Sequence, residues 1–413
     1  MTEPRWTTDG TTAVPAGTWF EVFVAFLRLG LTSFGGPVAH LGYFRQDIVE
    51  RRGWLDEHAY LDLVALCQFL PGPASSQVGI GIGLTRAGYA GALAAWIGFT
   101  LPSAVALVVF GLGVERFGLS RYAGWLHGLK IAAVAVVAQA VWGMASTMAT
   151  GKTRATLAVA AAAIVLFVPT TAGQLGAIAL GAVTGILLLQ GDRKTSEQAL
   201  AVGVGHPVAI CCLVIFFALL IGLPLLAGVP GPSATGQAFA DINAFYRAGS
   251  LVFGGGHVVL PLLQAAVVPP GWVTNDAFLA GYGAAQAVPG PLFTFAAYLG
   301  AVMGPQPHGW TGAAICLAAI FLPSFLLVIG TLPFWQVLRT RPQAQAGLSG
   351  VNAAVVGLLL AALYNPVWTS AIAAPRDVAL ALAAFLLLAV WKLPPWLVVV
   401  LCAGSGAVLE QFG

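Results

Sequence analysis

The chain has 413 residues, 59% of them hydrophobic and only 8% charged, with a formal net charge of +3. Soluble domains carry about 25% charged residues, so this chain cannot cover a water-facing surface, and lipid must be the solvent for most of it. So small a net charge gives no reason to expect a nucleic-acid partner.

Residues Met1–Thr18 are polar and rich in Thr, Gly and Pro. They lack the basic-then-apolar pattern of a cleaved signal peptide and read as a short tail. About 13 apolar segments follow. They lie near 19–35, 60–84, 88–113, 125–149, 154–169, 173–190, 207–228, 241–266, 276–302, 309–335, 346–364, 376–391 and 394–411. A spanning helix needs about 20 apolar residues. Charge-free runs such as Ala155–Gly191 and Ala277–Leu338 are long enough to cross more than once. Segments 60–84 and 276–302 are interrupted by Pro-Gly-Pro and read as broken helices or re-entrant hairpins. The fold expected is an all-α polytopic membrane protein.

The chain also repeats itself. Phe26–Gly30 matches Phe245–Gly249, Phe34-Gly35-Gly36 matches Phe253-Gly254-Gly255, and Gly53-Trp54 matches Gly271-Trp272. Gln68–Pro73 matches Gln286–Pro291, Leu101-Pro102-Ser103 matches Leu322-Pro323-Ser324, and Lys130 aligns with Asn352, all at offsets of 218 to 222 residues. Matched blocks in one order at a nearly constant offset mark an internal duplication. The expected division is a tail over 1–18, a first repeat over 19–200, a connecting transmembrane segment within 201–235, and a second repeat over 236–413. If each half crosses six times, the extra crossing turns the second half upside down, as in many secondary transporters. Basic residues at 152, 154, 193, 194, 339 and 341 favour an inside N-terminus and an outside C-terminus, while Arg45, Arg51, Arg52, Arg116 and Arg121 oppose it.

The residues that could carry chemistry sit at the repeated blocks. Arg28 and Arg247 hold equivalent places inside apolar segments, where a charge costs at least about 2.5–3.5 kcal/mol. They read as a cationic clamp for an oxyanion, since a guanidinium donates in a planar fork. The alternative is a structural pairing with Glu21 and Asp241. Phe34-Gly35-Gly36-Pro37 and Phe253-Gly254-Gly255-Gly256-His257 read as helix breaks whose freed N–H groups face a ligand, or else as close packing through small residues. Pro71-Gly72-Pro73 and Pro289-Gly290-Pro291 read as openings of half-helices. Gln68, Ser75 and Ser76 in one copy, and Gln286 and Thr294 in the other, supply further polar groups. Lys130, Asn352, Ser103 and Ser324 are accessory candidates. The histidines are scattered, with His257 beside a glycine break and His40 elsewhere in the first repeat. The five cysteines form no metal-binding pattern, and no cofactor, metal or enzyme site is expected.

Taken together, Arg28–Gly36, Gly53-Trp54, Gln68–Pro73 with Ser75-Ser76-Gln77, Phe253-Gly254-Gly255 and Pro289-Gly290-Pro291 resemble the chromate ion transporter family over almost the whole chain after residue 18. That resemblance implies two homologous, oppositely oriented domains, export of chromate from a bacterial cytoplasm across the inner membrane, and inhibition by sulfate. The second half lacks counterparts of Ser75, Ser76, Arg45, Arg51 and Arg52, so the halves are expected to be unequal. Two further alternatives stay open on the residues alone: a transporter or channel for sulfate or another small anion, and a membrane-embedded enzyme. The clamp reading predicts that Arg28→Ala abolishes anion binding. The sequence leaves a homodimer open.

Overall fold

The computed structural model describes residues 17–117, 123–189, 204–227, 234–253, 256–335, 338 and 341–411, which form helices and no strand. Thr18 caps the first helix, α1 (Trp19–Thr32), by accepting from the Glu21 N–H. A glycine break leads into α2 (Gly36–Phe44), which continues as a π-helical stretch, Arg45–Arg51. Then come α3 (Glu57–Phe69) and α4 (Ala74–Phe117). The last is two helices in one run, because Ala87 (φ −142°) and Gly88 (φ 63°) leave the helical region. α5 (Ala123–Met148), α6 (Lys152–Phe167) and α7 (Thr171–Leu188) complete the first half. α8 (His206–Ala227) stands between the halves.

The second half runs through α9 (Ala234–Leu251), α10 (Val259–Val267), α11 (Asn275–Ala285), α12 (Phe295–Val302) and α13 (Gly309–Thr331). It ends with α14 (Pro342–Ala362), α15 (Pro375–Ala389) and α16 (Pro395–Gln411).

Among the described residues, five helical stretches are long and apolar enough to cross a membrane: Ala74–Val114, Gly124–Met148, His206–Leu225, Gly309–Phe334 and Pro342–Ala371. Their outer faces carry large apolar side chains, with Trp142 70% and Leu225 74% exposed. Such surface is tolerable only in lipid. This is a multi-pass helical membrane protein. The segments at 60–84 and 276–302, expected as broken helices or re-entrant hairpins, divide in two at Leu70–Pro73 and at Gln286–Pro291, and the segment at 241–266 also divides, after Leu251. At the two Pro-Gly-Pro breaks, positive-φ Gly72 and Gly290 and prolines without an N–H end the helical pieces. The resulting α3 and α11 are about 17–20 Å long at 1.5 Å per residue, short of the roughly 30 Å hydrocarbon core.

The halves interlock rather than sit side by side. α5 packs on α15 and α16, while α14 packs on α6 and α7. Both contacts use glycines. Gly406 of α16 meets the Gly124 carbonyl and Gly128 of α5, and Gly350 of α14 meets Gly181 and Gly185 of α7. Backbones this close form where a Cβ would have no room. The aromatic core of the first half centres on Phe26, Phe44 and Phe99, whose rings meet edge to face at 5.0–6.5 Å.

Candidate functional site

The site begins where α1 stops. The Ser33 N–H returns to the Leu29 carbonyl and ends the helix. Gly35 (φ 98°) and Gly36 (φ 78°) then take left-handed conformations that favour glycine, and α2 opens with Pro37 in its first turn and no side-chain cap. The Pro-Gly-Pro of the second half runs alongside this break. The Gly290 N–H donates to the Ser33 carbonyl at 2.9 Å. The first-half Pro-Gly-Pro does the same to the second half, the Gly72 N–H donating to the Val252 carbonyl at 2.7 Å. A Cβ on Gly290 would lie 2.9 Å from Ser103 Oγ, and one on Gly72 would lie 3.1 Å from Ser324 Oγ. The two serines thus stand at matching posts beside the two straps.

A cavity of about 440 Å³ opens beside the Gly35-Gly36 break, roughly fifteen times one water's share of liquid volume. His40, Gln139, His257, Gln286 and Lys392 are its polar lining side chains, and Gly35, Gly36 and Gly290 bring backbone to its wall. His40 is 1% exposed. Its Nδ1 is hydrogen-bonded to Ser75 Oγ at 3.3 Å, and its Nε2 is buried with no partner among the described residues. His257 Nδ1 is hydrogen-bonded to the Tyr282 hydroxyl at 2.9 Å. Gln286 Nε2 is likewise buried and without a partner among the described residues. Gln139 is engaged, donating to the Leu388 carbonyl at 3.3 Å.

Electrostatically this is a place for negative charge. A helix N-terminus carries roughly half a positive charge in its orphan N–H groups, and α2 starts at the cavity wall. A primary amide nitrogen only donates, and a neutral imidazole donates from Nε2 in the tautomer whose Nδ1 accepts from the Ser75 hydroxyl. Buried donors left unsatisfied cost about 1–3 kcal/mol each, so an acceptor-only ligand offsets that cost. The other prominent concavity, a groove formed by Ile210, Leu213, Phe217, Ile221 and Phe334, is lined by apolar side chains and offers no such donors.

Of the residues singled out in the sequence, Gly35, Gly36, His257, Gln286 and Gly290 meet at this cavity. Ser75 stands behind it through His40. Phe34 packs on Trp396 with ring centroids 6.0 Å apart. Pro71 accepts from Gln77 Nε2 at 2.7 Å, and Pro73 precedes α4, with its carbonyl accepting from the Gln77 N–H. Gly72 is spent on the strap, as is the N–H of Gly290. Ser76 is buried, with its hydroxyl unpartnered among the described residues, and Ser324 is the same. Ser103 donates to the Thr100 carbonyl, and Thr294 donates to the Pro291 carbonyl at 2.7 Å. Pro289 is half-buried in the strap, and Gln68 is exposed. Lys130 forms an ion pair with Asp276 at 3.0 Å, and Asn352 is half-buried in α14. Gly254 and Gly255 lie outside the described residues.

The structure does not bring the two arginines to the cavity. Val22, Ala25, Phe26 and Leu29 form the buried face of α1, which turns Arg28 outward with Val24 and Leu31. Arg247 is half-buried in α9 and does not line the cavity either. The pairing of these arginines with Glu21 and Asp241 is also not what forms. Glu21 binds Arg86 at 3.2 Å, and Asp241 accepts from Gln237 at 2.8 Å.

Three lining residues carried no weight in the sequence. His40 has Val259 at its repeat position, so a search for matched residues passes over it. Its signal was its place one turn beyond a glycine break. Gln139 has Ala361 opposite it, and nothing in the sequence marks it. Lys392 is the one Lys or Arg after Arg376, which was the available clue.

A family model described as chromate transporter matches residues 20–186 and 240–407. The chain belongs to the chromate transporter family. Each matched region of this family member carries one glycine break and one Pro-Gly-Pro strap. A probable chromate transport protein of Synechococcus elongatus is 27% identical over 355 residues, 84% of either chain. A chromate transport protein of Pseudomonas aeruginosa is 28% identical over 368 residues, 86% of this chain and 83% of its own. One from Cupriavidus metallidurans is 26% identical over 360 residues, 84% and 82% respectively. No solved structure matches this chromate transporter family member.

Proposed function

We propose that this protein is a secondary-type transporter that carries chromate, or a tetrahedral oxyanion like it such as sulfate, out of a bacterial cytoplasm across the inner membrane, and so confers chromate resistance. The observation that carries this reading is the convergence on one cavity of the uncapped start of α2 with the buried, unpartnered nitrogens His40 Nε2 and Gln286 Nε2. Oxyanion oxygens accept from all three. Relatives named as chromate transport proteins supply the substrate class.

In this reading the halves are inverted repeats that rock against each other. The Gly72–Val252 and Gly290–Ser33 straps keep each half's break registered on the other. A negative-inside potential drives a dianion outward by about 2.3 kcal/mol per charge per 100 mV, so export needs no nucleotide. The site donates hydrogen bonds and carries out no bond chemistry. Arg28 and Arg247 stand away from the bound anion.

The test is chromate uptake into inverted membrane vesicles, with and without excess sulfate, for wild type and for Gln286→Ala. Uptake that sulfate suppresses and the substitution removes supports oxyanion export through this cavity. Uptake no greater than that of vesicles lacking the protein refutes chromate as its cargo. Sulfate accumulation faster than chromate would favour a sulfate transporter built on the same site.

A further inference from the structure

We propose that Lys392 supplies the fixed positive charge of the anion site, reaching it from the turn between α15 and α16. The proposal rests on the cavity being the oxyanion site and names the residue that charges it.

Three observations carry it. First, among the described residues Lys392 is the one formally charged side chain that lines the cavity. The remaining polar lining groups are two histidines, two glutamines and backbone. Neutral donors hold an oxygen by geometry, but they do not by themselves favour a dianion over a neutral solute of the same shape. A single ammonium does, through Coulomb attraction that grows as the surroundings become less polar. Neither Arg28 nor Arg247 can serve, since neither reaches the cavity wall.

Second, Lys392 sits at φ 53°, the one non-glycine residue at positive φ among the described residues. Nine glycines among the described residues adopt positive φ. Wherever else the described backbone turns left-handed, this chain places a glycine there. A lysine in that conformation is strained, and strained backbone persists where the surrounding structure over-determines it, which it does most often at functional sites. The turn is pinned on both sides of the lysine. The Trp391 N–H donates to the Leu386 carbonyl at 3.1 Å, the Leu393 N–H to the Leu387 carbonyl at 3.0 Å, and the Leu397 N–H to the Pro394 carbonyl at 3.0 Å. The Gln139 bond to Leu388 ties the same segment to the cavity wall. The backbone of Lys392 is thus held in place, and its side chain, exposed, lines the cavity.

Third, the charge is one-sided. The corresponding turn of the first half, Val168–Thr170 between α6 and α7, contains Val, Pro and Thr and no basic residue. A cation at one of two related turns makes the two approaches to the site electrostatically unequal. A transporter that moves an anion mainly one way can use that inequality.

The experiment is chromate titration of the purified full-length protein in detergent at two ionic strengths. The proteins compared are wild type, Lys392→Gln, Lys392→Gly, Lys392→Arg and Gln286→Ala. Lys392→Gln and Lys392→Gly should each weaken binding by about tenfold or more and flatten its salt dependence, while Lys392→Arg stays within about threefold of wild type. The glycine variant guards against misfolding, because glycine takes this φ without strain. Its thermal midpoint should equal or exceed that of wild type. Wild-type affinity and salt dependence in both neutral variants, with Gln286→Ala impaired, would reduce Lys392 to a turn residue and overturn the proposal. Wild-type affinity in Gln286→Ala as well would remove the cavity itself as the site.

Discussion

Gly290 gives its backbone N–H to the Ser33 carbonyl at 2.9 Å, and the pair at the matching places in the other half, Gly72 and Val252, makes the same bond at 2.7 Å. Each Pro-Gly-Pro therefore closes on the other half's helix break. The N–H groups of these two strap glycines hold the two halves together. Gly35 and Gly36 bring their backbone to the cavity wall beside Gly290.

Both strap glycines should resist any side chain. Gly72 has φ 122° and Gly290 φ 96°, and a Cβ would lie 2.6 Å from Gln77 Nε2 in the first and 2.9 Å from Ser103 Oγ in the second. Left-handed backbone alone costs an L-residue about 1–2 kcal/mol, and the displaced side chains add to that. Gly72→Ala and Gly290→Ala should each lower the thermal midpoint of the detergent-solubilised protein and reduce vesicle transport. A midpoint and transport rate equal to wild type in both would show that the straps tolerate slack.

The two unpartnered donors should act on one ligand. Hydrogen bonds to charged groups contribute about 1.5–3 kcal/mol, or roughly ten- to a hundredfold in affinity. Gln286→Leu and His40→Phe, each close in shape to the original, should weaken chromate binding by that much singly. The double variant should lose less than the product of the two, because neighbours on one ligand couple. Strict multiplicativity would place the two side chains on separate events.

How much of this was legible in the sequence follows from the range of each force. Helix breaks are local: Gly35-Gly36-Pro37 and the two Pro-Gly-Pro motifs stop a helix wherever they occur, and all three do so here. Which break touches which strap is a tertiary matter that no local pattern encodes. The facing of Arg28 was hidden for a different reason. In a soluble helix, polar residues mark the outer side. In α1 Glu21, Arg28 and Thr32 fall on one face at spacings of seven and four residues, but in a membrane protein a polar face turns toward a cavity as readily as outward, so the pattern did not say which. His40 and Lys392 were obscured by the duplication itself. The repeat singles out residues matched between the halves, while His40, Gln139 and Lys392 have Val259, Ala361 and Thr170 at their counterpart positions.

The small-residue contacts between halves should be the least tolerant positions away from the cavity. Gly350 of α14 rests directly on the Gly181 carbonyl and on Gly185. Overpacking a tight contact typically costs about 1–3 kcal/mol, and here the obstruction is backbone, which cannot rotate away. Gly350→Leu should yield little folded protein on size-exclusion chromatography. Gly222→Leu is the comparison, since a Cβ there meets nothing within 4 Å. It should behave as wild type. Equal recovery of both would mean that α7 and α14 can separate at little cost.

Arg28 gives the sharpest contrast between sequence and structure. Read from the sequence, it clamps the anion, and Arg28→Ala abolishes binding. Its place on the outer face of α1, away from the cavity, leads to the opposite expectation. Arg28→Ala should bind chromate within about threefold of wild type, because an exposed charge acts on a distant ligand only through a screened field. Transport can still fall if the arginine stabilises the other orientation of the halves, for substrate affinity in one state and the rate of exchange between states are separate quantities. Binding and vesicle uptake therefore need to be measured on the same preparation. Intact binding with slowed uptake would assign Arg28 to the conformational step. Lost binding with an unchanged thermal midpoint would restore it to the anion and require α1 to rotate when substrate enters.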